Sequence, residues 1–196
     1  EHAVLQSGTA PRYLKQMTER TVPLAVVILA AGQGTRMRSA FPKPLHAVGG
    51  LPLLGHVLSA ARALLPERLV VVVGEGGAEV SAVARALAPE AVSVEQPERR
   101  GTGDAVRCAL PALDGFAGRV LVIYADTPFL RVETLEALVS TASAVAVLGF
   151  EAVEPGGYGR LICDAGGALL RIVEAAEATE AERAVRLCNA GVMAFD

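Results

Sequence analysis

The sequence predicts an α/β fold, a mostly parallel sheet with helices packed on both faces. Three observations carry that prediction. Short β-branched runs alternate with longer alanine- and leucine-rich stretches from Leu24 to Phe150, the pattern of repeated βαβ units. The runs around Val70 and Val120 are apolar at consecutive positions, as strands covered on both faces require. The first run, Leu24 to Ala30, breaks into Ala31-Gly32-Gln33-Gly34, and ligands in open parallel sheets sit at such strand ends.

Taken in order, the strands are expected at Leu24–Ala30, Arg68–Val73, Ala91–Glu95, Arg119–Ala125 and Ser143–Phe150. Helices are expected between them at Leu53–Leu65, Gly77–Leu87, Gly103–Pro111 and Val132–Thr141, where alanine and leucine dominate. After Glu151 the texture changes. Gly156, Gly157, Gly159, Gly166 and Gly167 punctuate short runs, which predicts a β-rich excursion crossing the mouth of the sheet. Residues 1–16 show no sustained apolar period and read as a tag or disordered leader ahead of Met17, leaving 17–196 as one domain.

Composition limits the function. A chain of 196 residues with 52% hydrophobic and 20% charged residues is globular, and a net charge of -3 gives no general attraction to nucleic acid. Its partner is expected to be a small molecule. Cys108, Cys163 and Cys188 are odd in number and form no Cys-x-x-Cys, which argues against a disulfide framework or zinc cluster and suits a cytoplasmic protein. The longest apolar run, Leu24 to Ala31, is less than half of the roughly 20 residues a membrane helix needs.

The loop after the first strand carries the chemistry. Gly32 and Gly34 let the backbone approach a phosphate or base, and Arg36 and Lys43 offer cationic donors for phosphate oxygens. Taken alone, the same residues equally describe a tight turn with solvated basic side chains. Two better-known phosphate motifs are excluded: a dinucleotide fingerprint needs glycine where Met37 stands, and a P-loop needs Gly-Lys-Ser/Thr.

The stretch "LAAGQGTRMRSAFPKPLH" resembles the sugar nucleotidyltransferase signature, and the resemblance continues through "EQPERRGTGDA", "VIYADTPFL", "PGGYGRLI", "RIVEAAEAT" and "LCNAGVMAFD" in order. Within that family the chain looks like the uridyltransferase domain of bifunctional N-acetylglucosamine-1-phosphate uridyltransferases that also acetylate glucosamine 1-phosphate. The resemblance implies a Rossmann-like fold of the nucleotide-diphospho-sugar transferase type. It further implies uridylyl transfer from UTP to N-acetylglucosamine 1-phosphate, with Mg²⁺ as cofactor. A phosphate monoester has a second pKa of about 6, so this nucleophile needs no general base. Positioning and charge neutralisation remain, which calls for arginine, lysine and a divalent ion.

By the same resemblance Arg36 would hold the departing pyrophosphate and Lys43 would touch the phosphates near the site of attack. Leu29, Ala30, Ala31 and Gly32, with Gln96, Gly101 and Thr102, would hold the nucleotide, the Gln96 amide both donating to and accepting from the uracil edge. Tyr124, Ala125 and Asp126 would line the substrate site, and Asp126 would hold Mg²⁺. Gly159, Glu174 and Asn189 would meet the sugar. By local sequence alone, Gln96 is a polar residue after a strand, Asp126 is either a ligand at a strand end or the opening of the Asp-Thr-Pro turn, and the last three could be a turn, a surface carboxylate and a cap. His56, in an apolar helix, reads as a packed, hydrogen-bonded residue.

The sequence also departs from the family pattern. Ala125 stands for a usual glycine, Asp104 for a usual histidine, Arg99 and Arg100 for a less charged pair, and Ala176-Glu177 for a usual Lys-Asp. The family's second metal-holding asparagine and its β-helix are expected beyond Asp196, and a trimer only where that β-helix is present. Two alternatives stay open at the level of sequence: a truncated nucleotide-binding domain with little turnover, and a nucleotidyltransferase with another sugar-phosphate acceptor.

Overall fold

The computed structural model describes residues 22–32, 39, 41–98 and 100–196. Arg36, Arg99 and the 1–16 leader lie outside the described residues.

Strand β1 (Leu24–Ala30) is the centre of the molecule, paired in parallel with β4 (Arg68–Gly74) on one side and β6 (Arg119–Tyr124) on the other. Beyond β4 lies β5 (Val92–Gln96), also parallel. The unbroken apolar sequence of β1 is explained by its two covered faces. Val26 and Ile28 point into one core with Val71, Leu121 and Ile123, while Ala25 and Val27 point into a second with Val70, Val72 and Val122. The first core is closed by α1 (Leu53–Ala63), α2 (Ala78–Leu87) and α4 (Val132–Val139), and the second by α3 (Thr102–Ala109) with the 3₁₀ turn Leu110–Leu113.

The element boundaries show local control. α1 stops at Ala63, two residues short of the expected Leu65, because Leu65 takes a positive φ of 52° immediately before Pro66. α3 gives way to the 3₁₀ turn around Pro111, which has no N–H to continue the α-ladder. A small ribbon, β2 (Ala47–Val48) with β3 (Leu51–Pro52), stands where no strand was expected.

The sheet is mixed, and this refines the mostly parallel expectation. β7 (Val145–Glu151) runs in the same direction as β6, as the alternation requires, yet it does not adjoin it. β10 (Leu187–Phe195) enters between them, antiparallel to both. The β-rich excursion supplies β8 (Arg160–Cys163) and β9 (Leu169–Val173), a hairpin that adds to the first part of β10. The chain returns to the sheet by way of this hairpin and the short α5 (Glu180–Arg183), so β10 arrives antiparallel.

Candidate active site

The parallel strands β1, β5 and β6 all end on the same side of the sheet, and a cleft of ≈ 330 Å³ opens there. Its wall is formed by Leu29, Ala30, Ala31 and Gly32 from the end of β1 and by Gln96 from the end of β5. Gly101, Thr102 and Ala105 come from the start of α3, Tyr124, Ala125 and Asp126 from the end of β6, and Lys43 and Pro44 from the chain before β2. Every described residue expected to hold nucleotide or Mg²⁺ is therefore at one cavity. Pro44 and Ala105, which the sequence reading passed over, complete it.

Two features fix the walls. Ala125 N–H donates to the Leu29 carbonyl (3.0 Å), which holds the β6 end against the β1 end beyond the last ladder pair. Gly101 adopts φ 98°, a conformation that favours glycine, and turns the chain from the β5 loop into α3. No side chain caps that helix, so its first N–H groups are left for water or a ligand.

Charge is concentrated on one side. Lys43 Nζ donates to Asp126 Oδ2 at 2.5 Å, with both side chains about one-third exposed (35% and 33%). The basic loop residue and the carboxylate at the β6 end thus neutralise each other. Tyr124, half-buried, lies beside them. Burial, opposed by a hydrogen bond from Thr102 and reinforced by the charges of Glu174 and Asp126, pushes its phenol above the ordinary tyrosine range. It stays neutral at physiological pH.

The three expected sugar-contacting residues also converge, through the antiparallel part of the sheet. Asn189 N–H donates to the Gly159 carbonyl at 2.8 Å. A Cβ on Gly159 would lie 3.3 Å from Glu174 Oε1, so the glycine leaves room for that carboxylate. None of the three lines the cleft itself. Glu174 reaches it through its charge on Tyr124. The Asn189 side chain is partly engaged, since its Oδ1 accepts from Gly191 N–H at 2.9 Å. Gly191, at φ 73° in the β10 bulge, packs against the Tyr124 ring so closely that a Cβ there would stand 2.4 Å from ring carbons. Sequence reasoning missed this seam; the Asn-x-Gly spacing in "CNAG" is its visible trace.

The remaining expectations fall outside the cleft. His56 Nε2–H donates to the Val48 carbonyl (2.8 Å), the packed, hydrogen-bonded role read for it. Among the described residues no group of three or more His, Cys, Asp or Glu side chains gathers to hold a metal.

The model of the MobA-like NTP transferase domain matches residues 26–189. The chain belongs to that family. This NTP transferase domain is 53% identical over 180 residues to the bifunctional protein GlmU of Paracoccus denitrificans, covering 92% of this chain and 40% of that protein. It is 55% identical over 176 residues to the GlmU of Dinoroseobacter shibae, covering 88% and 39%. The chain thus spans about two-fifths of the length of these relatives. In fold it is similar to the inositol-1-phosphate CTP transferase from T. maritima (TM-score 0.73, 16% identity, 89% of this chain and 71% of that one). It is likewise similar to a putative glucose-1-phosphate thymidylyltransferase from Bacillus anthracis (TM-score 0.74, 17% identity, 88% and 71%). Among the described residues no helix is long and apolar enough to cross a membrane.

Proposed function

We propose that this NTP transferase domain transfers a uridylyl group from UTP to N-acetylglucosamine 1-phosphate, giving UDP-N-acetylglucosamine and pyrophosphate, with Mg²⁺ as cofactor. The observation that carries the reading is the convergence of the "LAAG", "PKPL", "EQ…GTG" and "YAD" segments on one cleft. The high identity to GlmU proteins supports it.

An ionised phosphate oxygen of the sugar phosphate attacks the α-phosphorus of UTP. The bond from that phosphorus to the oxygen bridging to the β-phosphorus breaks, and its electron pair leaves with pyrophosphate. The backbone from Ala30 to Gly32 and the Gln96 side chain hold the base. Gly159, Glu174 and Asn189 offer hydrogen-bonding groups to the sugar. Lys43 supplies a point charge to the phosphate oxygens and Arg36 a second.

The donor set fits magnesium. A hard carboxylate oxygen at Asp126 already accommodates a cation, the Lys43 ammonium, and Mg²⁺ characteristically binds through one or two carboxylates with phosphates and water. When bound on Asp126, the ion would neutralise and orient the phosphates. Three free cysteines suit a cytoplasmic setting.

Pyrophosphate release from UTP, measured with N-acetylglucosamine 1-phosphate and a panel of other sugar phosphates, tests the reading. Mg²⁺-dependent release with that acceptor is expected. Lys43→Ala should lower kcat by about 10²- to 10³-fold while leaving Tm nearly unchanged, because its ion pair is partly exposed. No release, or faster release with another sugar phosphate, would overturn the assignment.

A further inference from the structure

Gln96 is 3% exposed at the end of β5, and both protons of its amide nitrogen are committed. Nε2 donates to the Gly101 carbonyl at 3.2 Å and to Asp104 Oδ2 at 2.9 Å. Neither partner can donate in return: a backbone carbonyl and an ionised carboxylate only accept. The amide is therefore locked in one of its two orientations, and what Gln96 retains for a ligand is its carbonyl oxygen. Asp104 does not line the cleft; it stands behind Gln96, in the first turn of α3. It is itself held from the other side, because Arg107 Nη2 donates to Asp104 Oδ1 at 2.7 Å. The hydrogen bond from Gln96, opposed by burial and assisted by the Arg107 charge, keeps the Asp104 carboxyl below the usual aspartate range, so it stays an acceptor at neutral pH.

We infer that Asp104 is a positioning residue for base selection: by fixing the Gln96 amide with its oxygen toward the cleft, it makes the site prefer a base with an N–H at its pairing edge over one with a bare nitrogen there. The inference rests on the reading of the cleft as a UTP site. Uracil carries a donor at N3. Cytosine carries an acceptor at N3, and a carbonyl oxygen facing it leaves two lone pairs opposed. An amide free to turn over would answer cytosine with its NH₂ group. The sequence reading, in which Gln96 both donates to and accepts from the base, is narrowed by this geometry to acceptance alone.

The test is calorimetric binding of UTP and CTP, each with Mg²⁺, to the whole chain and to three variants. Asp104→Asn is nearly isosteric and can either donate or accept, so the acceptor-only hold on the Gln96 amide falls from two bonds to the single 3.2 Å bond to the Gly101 carbonyl, and the turned-over orientation becomes less costly. The UTP-over-CTP ratio of dissociation constants is expected to fall by about tenfold in Asp104→Asn, mainly through tighter CTP binding. Asp104→Ala, monitored by thermal melting to establish folding, should lower the ratio as well. In a Gln96→Ala background, Asp104→Asn should change the ratio no further, which a merely structural role for Asp104 would not produce. A wild-type preference for UTP that survives intact in a folded Asp104→Asn overturns this inference and leaves the proposed function standing. A wild-type chain that does not prefer UTP overturns the proposed function itself.

Discussion

The two halves of the sheet solve different problems. The parallel half, β5-β4-β1-β6, is covered by helices on both faces, and its strand ends meet the cleft largely through backbone and small residues such as Ala30, Ala31, Gly32 and Ala125. The antiparallel half, β7, β8, β9 and β10, is unevenly covered: Ala146, Val192 and Ala194 join the first core, but β9 at the edge of the hairpin has thin cover. β9 exposes Leu169 (39%) and Leu170 (65%), whereas no residue of β1 but Leu29 is even partly exposed. Burial on both faces gives a rigid floor whose geometry is insensitive to its own surface. The hairpin and the first part of β10 place Gly159, Glu174 and Asn189 by hydrogen bonds and one bulge. The difference teaches that the parallel half is stabilised by its core and the β8–β9 hairpin by its attachment to β10.

The sharpest break in the comparison is expected in the parallel half. Ile28 is fully buried at the centre of β1, and Ile28→Ala should cost about 2–5 kcal/mol in urea unfolding, through lost burial and the cavity left behind. A cost below about 1 kcal/mol would mean that the core does not bear on that strand.

Gly191→Ala tests the seam between the halves. It forces an L side chain into φ 73° and pushes the new methyl into Tyr124, so a loss of at least about 1–2 kcal/mol is expected. Because the displaced ring lines the cleft, KM for the sugar phosphate should rise as well. Unchanged stability together with unchanged KM would show that Tyr124 has room to move aside. The smallest effect belongs to β9. Leu170→Ala should shift stability by no more than about 0.5 kcal/mol, since the side chain is mostly in water already. A larger loss would reveal that the hairpin face is covered in solution.

The same contrast explains what was legible in the sequence. β1 was readable to the residue, because a strand buried on both faces writes itself as an unbroken apolar run that ends where the glycines begin. The carboxyl-end rule set the loop after β1 at the ligand, whereas Gln96 read locally as a polar residue after a strand and reached the site only through the family resemblance. β8, β9 and β10 were legible only as a glycine-punctuated β-rich excursion without bounds, since half-exposed strands broken by glycine and a bulge write no unbroken apolar run. The insertion of β10 beside β6 depends on pairing between distant segments, which no local pattern encodes. The ion pair of Lys43 with Asp126 and the Asp104 contact to Gln96 were equally hidden, because each joins residues whose meeting is set by the fold or by a rotamer. The family resemblance supplied Gly159, Glu174 and Asn189 where local sequence could not. Arg36 lies outside the described residues, so its placement is not part of this comparison.

The insertion of β10 also sets an order of assembly. Val120 to Val122 of β6 pair with Met193 to Phe195, and α4, β7, β8, β9 and α5 all lie between them in the chain. Contacts that close so long a loop form late, whereas the βαβ units from β1 to β6 are near neighbours in sequence and form early. As the chain leaves the ribosome, the segments that form the floor of the nucleotide cleft emerge before those that carry the sugar-facing groups. Until β10 docks, the outer edge of β6 is an unsatisfied strand edge, a row of free N–H and C=O groups open to any passing strand.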